Sequence, residues 1–91
     1  MKDLVDGKPM NKILVDVGAF VNLMPYTTFR KLGKGPEDLM ETNMMLKDFE
    51  GNTSKTQGAI NIELTIRSKT LLTTFFVIDG KGSYSLLLGR D

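Results

Sequence analysis

The 91-residue chain contains no cysteine and no histidine. The first absence rules out a disulfide framework, a thiolate metal site and a thiol nucleophile. The second rules out Ser-His-Asp and Cys-His arrangements and imidazole metal sites. Acid–base work near neutral pH is left to carboxylates, lysines and tyrosines, so an enzyme built on this sequence would run on carboxylates. No apolar run approaches the roughly 18 residues that span a bilayer. The N-terminal MKDLVDGKPM lacks the apolar segment of a signal peptide. There is no excess of charge of one sign either: 12 basic and 11 acidic residues are scattered along the chain, for a net charge of +1. Without a basic stripe, nucleic acid and anionic membrane are not expected partners.

What is present suits one small water-soluble domain over residues 1–91, with 41% hydrophobic and 25% charged residues. Asp6-Gly7 is a turn signal, and KPMNKILV after it reads as a strand. FVNLM reads as a second apolar strand. Pro25 then opens a short helix, PYTTFRKL, whose Tyr26, Phe29 and Leu32 form one apolar face and whose end carries Arg30, Lys31 and Gly33. GKGPEDLME is a loop without the spacing of a phosphate-binding motif. TNMMLKDF forms a strand that leads to a hairpin tip at Glu50, Gly51 and Asn52. AINIELTI alternates, with Ile60, Ile62, Leu64 and Ile66 on one face and Asn61, Glu63 and Thr65 on the other. RSK turns the chain into TLLTTFFVI, apolar on both faces and so a central strand. After the loop DGKGS, YSLLLG is a last buried strand, with Tyr84 partly buried at its start. Seven or so short strands and one helix predict an all-β fold, a small closed barrel or sandwich.

One residue stands out. Asp16 lies inside the apolar run ILVDVGAFVNLM, and an ionised carboxylate is costly to bury unless paired. Gly18, two residues on, lets another backbone approach closely. Two readings fit this spacing: a turn aspartate bonded to nearby amides, or a rigid, partly desolvated acid open to a substrate from one side.

ILVDVGAFVNLM, then FEGNTSKTQGAI, then FFVIDGKGSYSLLLGRD resemble, in order and spacing, the retropepsin-like aspartic proteases, and most closely the protease segment of plant Ty3/gypsy-type retrotransposon polyproteins. The pairing of Asp16-Val17-Gly18-Ala19 with Leu86-Leu87-Leu88-Gly89-Arg90-Asp91 about 70 residues later is the specific part of that likeness. The resemblance implies that Asp16 is the catalytic acid, that Gly18 and Ala19 line the substrate groove, and that 49–58, with Glu50, Gly51 and Asn52 at the tip, form a flap. It also implies polyprotein cleavage in the cytoplasm or an intracellular retrotransposon particle, on an extended peptide substrate, with no cofactor or metal. Asp-x-Gly occurs once, so a pair of carboxylates requires a homodimer.

The chain departs from that pattern in three places. Val17 replaces a threonine or serine whose hydroxyl, in the family, bonds across the dimer axis; valine keeps the shape and loses the donor. Phe20 stands where an acid would pair with the arginine corresponding to Arg90, and is expected instead to be core beside Val21 and Leu23. The sequence ends at Asp91, where the family goes on to a short helix and a dimer-forming strand, so the domain is expected to be truncated there. Val17 and the missing terminus also fit a second reading, a catalytically silent domain that serves as a dimerisation or peptide-binding module. The six methionines, Met44 and Met45 among them, are expected to fill gaps in the core and at the base of the flap.

Overall fold

The computed structural model describes residues 3–15, 20–42, 44–47, 53–79 and 84–89. Within them lie nine strands and one α-helix. They are β1 (Leu4–Val5), β2 (Lys8–Pro9), β3 (Ile13–Val15), β4 (Leu23–Pro25), α1 (Tyr26–Lys31), β5 (Met45–Lys47), β6 (Thr53–Lys55), β7 (Gly58–Ile66), β8 (Lys69–Ile78) and β9 (Leu86–Leu88). Seven strands form one sheet in the order β2-β1-β7-β8-β4-β9-β3, and β5 and β6 form a hairpin of their own. The sheet curls into a half-barrel, so the expected all-β class with a single short helix holds.

Local sequence accounts for the longest part. β7 alternates as expected: Ile60, Ile62 and Leu64 are buried, and Asn61 and Glu63 are exposed. Its nine residues pair without interruption with β8, from Gly58↔Val77 to Ile66↔Lys69. Arg67 and Ser68, both at positive φ, form the two-residue turn, a geometry that matches the twist of a hairpin. Asp6 (φ 54°) and Gly7 (φ 76°) close β1 onto β2 in the same way. The expected N-terminal strand is split: Lys12, at φ 61°, separates β2 from β3. The strand read at FVNLM begins only at Leu23, and Pro25 ends β4 rather than opening the helix.

The core joins Val5, Met24, Phe29, Leu32, Ile60, Ile62, Leu64, Phe75, Val77, Leu86 and Leu88. α1 contributes Phe29, which is fully buried, while Tyr26 packs partly against the cluster. Arg30 and Lys31 occupy its last turn, where positive charge suits the helix dipole. A single 3-10 turn, Pro36–Asp38, follows, and the Asp38 carboxylate accepts the Gly35 N–H at 2.9 Å. At the start of β7, Gly58 has φ 151°, and a Cβ there would lie 2.9 Å from both Leu39 Cβ and the Met40 carbonyl. Only glycine lets these two segments approach so closely. The approach permits the Met40↔Ala59 bridge, with N–H to C=O distances of 2.7 and 2.9 Å.

β8 lies inside the sheet, as its two apolar faces predict, yet Leu71 and Leu72 near the turn are exposed. The methionines divide. Met24 is fully buried and Met10 packs against the core, but Met44 and Met45 are exposed, contrary to expectation. Met45 opens the separate β5–β6 hairpin and Met44 just precedes it, neither of them in the seven-stranded sheet.

Candidate active site

The segment that holds Asp16 begins and ends at a break in the order of the sheet. β3 runs parallel to β9, with Ile13↔Leu86, Leu14↔Leu87 and Val15↔Leu88 in register. β4 lies on the other side of β9, antiparallel to it at Leu23↔Leu87 and parallel to β8. The C-terminal ends of β3 and β9 and the N-terminal end of β4 therefore share one edge, and residues 16–22 connect strands that flank β9. A switch of this kind concentrates loops at one rim of a sheet and is a common setting for sites.

Side chains complete this region where the main-chain ladders stop. Asn22, just ahead of β4, donates from Nδ2 to the Thr74 carbonyl (3.2 Å), and its Oδ1 accepts the Gly89 N–H (2.9 Å). Its own carbonyl accepts the Phe76 N–H at 2.9 Å. The Thr28 hydroxyl of α1 donates to the Ser85 carbonyl at 2.7 Å, and the Ser85 N–H donates to the Lys12 carbonyl at 2.9 Å. Ser85 thus ties the helix and the approach to β3 to the start of β9. Sequence reading missed both Asn22 and Thr28. The available signal was Asn22 itself, the second polar residue in the apolar run that holds Asp16.

Asp16, Val17, Gly18 and Ala19 lie outside the described residues, as do Glu50, Gly51, Asn52 and Arg90. What brackets them is described. Leu14, Val15 and Phe20 are exposed, Phe20 to 88%. The expectation that Phe20 is core is therefore wrong: it emerges at the rim, beyond the layer that buries Met24 and Leu86. On the hairpin side, Met45↔Lys55, Leu46↔Ser54 and Lys47↔Thr53 pair antiparallel on either side of positions 48–52. The hairpin is anchored at its base by Thr56, which is buried; its N–H and hydroxyl both donate to the Met44 carbonyl, at 3.4 and 3.3 Å. Beside it, the Gln57 N–H donates to the Val77 carbonyl at 2.9 Å, and the Gln57 side-chain amide donates to the Asp79 carboxylate.

Tyr84, half-buried ahead of β9, has its phenol pushed above its ordinary value by desolvation. Among the described residues, no three acidic side chains come together as a metal site would require.

A β9 strand seated between the two strands that bracket the aspartate, with a separate hairpin rooted ahead of β7, is the fold of the retropepsin-like aspartic proteases. EIAV protease, solved with the inhibitor HBY-793, aligns with a TM-score of 0.76 at 20% identity, covering 100% of this chain and 80% of its own. The retroviral protease-like domain of Ddi1 from Leishmania major aligns with a TM-score of 0.70 at 18% identity, over 96% of this chain and 67% of its own. A retropepsin-like aspartic protease from Rickettsia conorii aligns with a TM-score of 0.71 at 24% identity, over 98% of this chain and 64% of its own. No family model and no curated protein sequence matches the chain.

Proposed function

We propose that the chain is an aspartic endopeptidase domain that works as a homodimer, with one Asp16 from each protomer. The observation that carries this reading is the seating of β9 between β3 and β4, at whose shared rim the Asp16 segment begins and ends. The exposed apolar side chains Leu14, Val15 and Phe20 at that rim and on the edge strand β3 support the two-fold partner. An apolar patch on a sheet edge is a surface that favours association.

In such a dimer, two carboxylates about 3 Å apart cannot both ionise, so they share one proton and titrate as a pair. The ionised carboxylate takes a proton from a water as the water oxygen bonds to the scissile carbonyl carbon. The protonated partner donates a hydrogen bond to the developing oxyanion. As the tetrahedral centre collapses, the C–N bond breaks and a proton passes to the leaving amine. An extended peptide between the hairpin and the sheet is held by main-chain hydrogen bonds, with alternate side chains read by pockets. We assign the substrate to a retrotransposon polyprotein of the Ty3/gypsy type, cut in the cytoplasm or in an intracellular particle, on the sequence resemblance alone.

The test is cleavage of an extended-peptide library, with Asp16→Asn as control. The expected loss is on the order of 10⁴-fold, the upper range for removing an acid–base group. Equal rates for the two proteins would refute the reading. Val17 favours a second one, a silent module that dimerises or binds peptide, because it withholds the hydroxyl that the family uses across the axis. Val17→Thr separates the two: gains in dimer and in cleavage identify a weakened enzyme, and binding of peptide without cleavage identifies the module.

A further inference from the structure

The reaction above gives Asn22 no part, yet this half-buried side chain sits where β4 begins, between the middle of β8 and the end of β9. β4 starts at Leu23, so the Thr74 carbonyl of β8 lies two residues before the last ladder partner on that side, Phe76, and the Gly89 N–H two residues beyond Leu87 on the other. Left alone, the part-buried Gly89 N–H would need another partner, since main-chain polar groups inside a fold are almost always bonded, while the exposed Thr74 carbonyl would turn to water. The carboxamide of Asn22 presents a donor and an acceptor, as a peptide group does. Its Nδ2 takes Thr74 at 3.2 Å and its Oδ1 takes Gly89 at 2.9 Å. The side chain thus substitutes for a strand residue in two directions at once. The main chain ahead of it is released from both ladders and can leave the sheet without orphaning its neighbours.

We infer that Asn22 is a positioning residue for the Asp16 segment. It fixes the separation between the middle of β8 and the end of β9, and with it the place where the chain enters β4, so its loss displaces the carboxylate without removing any group that touches substrate. The kinetic half of this inference rests on the protease reading; the structural half does not.

Both halves are read in the 91-residue chain by amide resonances and by peptide cleavage across the acid-to-neutral range. In Asn22→Ala, the Gly89 amide loses protection from hydrogen exchange while Leu87 and Leu88 keep theirs, and the resonances of 16–19 shift. The kcat value falls on the order of 10²-fold, the effect of misplacing a catalytic group by about 1 Å, with KM nearly unchanged. Asn22→Asp keeps the acceptor for Gly89 but turns a carboxylate oxygen toward the Thr74 carbonyl. It matches Asn22→Ala near neutral pH and recovers toward wild type in acid, where the protonated carboxyl can donate again. A residue that only adds stability would lower the melting temperature without the kcat–KM split and without the acid recovery. Unmoved resonances at 16–19 in Asn22→Ala overturn the inference, as does an Asn22→Asp pH profile parallel to that of wild type. If the alanine variant does not fold, the aspartate variant compared at the two ends of the pH range decides. If wild type cleaves no peptide, the protease reading falls and the resonances alone judge Asn22.

Discussion

The two sides of the seven-stranded sheet are assembled by opposite means. β7 and β8 are neighbours in sequence, joined by a two-residue turn and paired over nine consecutive positions. In β4, β9 and β3 no strand exceeds three residues, and β3 pairs with a strand 73 positions away, at Ile13↔Leu86. The first side is specified by its own alternation. The second exists because side chains finish what its short ladders leave open: Asn22 at one end of β9 and Thr28, through Ser85, at the other. The segment that carries Asp16 connects strands of the second side, so the chemistry proposed for it falls where the architecture is least self-sufficient. Local stability in folded proteins is commonly distributed in this way.

The sharpest way to break this contrast is to remove what both sides share. Phe75, on β8, is fully buried within the common core. Phe75→Ala is expected to cost about 3–5 kcal/mol, measured by denaturant titration, and to lose both sides in one transition. Survival of either side alone would show that the sheet is not one cooperative unit. A smaller change sharpens the comparison. Thr28→Val deletes the donor to the Ser85 carbonyl, at a cost of about 1–3 kcal/mol. Amide exchange should quicken in Leu86–Leu88 and leave Ile60–Leu64 at the wild-type rate; uniform acceleration would erase the distinction. The smallest effect is alkaline. Tyr84 has its phenol raised above 10.0 by burial. Its ionisation leaves stability unchanged below that value, where folded and unfolded chains both hold the proton. Above it the unfolded chain ionises first, so stability falls until pH passes the raised folded value. Tyr84→Phe should flatten the fall of melting temperature in that window.

The same division governs how much could be read from the residues. The period of two in AINIELTI, the Asp6-Gly7 turn and the apolar face of α1 are local signals, and each appears where the sequence puts it. The parallel pairing of β3 with β9 leaves no periodic trace, because neither three-residue strand states its partner; the family resemblance linked those segments where pattern could not. Phe20 was misjudged for a related reason. Hydrophobicity reports a preference for burial, but not whether the chain at that point has already left the layer. Met44 and Met45 failed in the same way, at a hairpin that is not part of the seven-stranded sheet. Asp16 drew attention as an acid in an apolar run, while Asn22, equally out of place six residues on, did not.

The place of β9 also sets a schedule. Among the described residues it is the strand latest in sequence and the one neighbour of β3. While a ribosome is still making the chain, β7 and β8 can close on each other, but β3 has nothing to pair with until residues 86–88 emerge. Contacts this distant in sequence form late and slowly. Any activity housed beside β3 is therefore withheld from a nascent chain until residues 86–88 have been made.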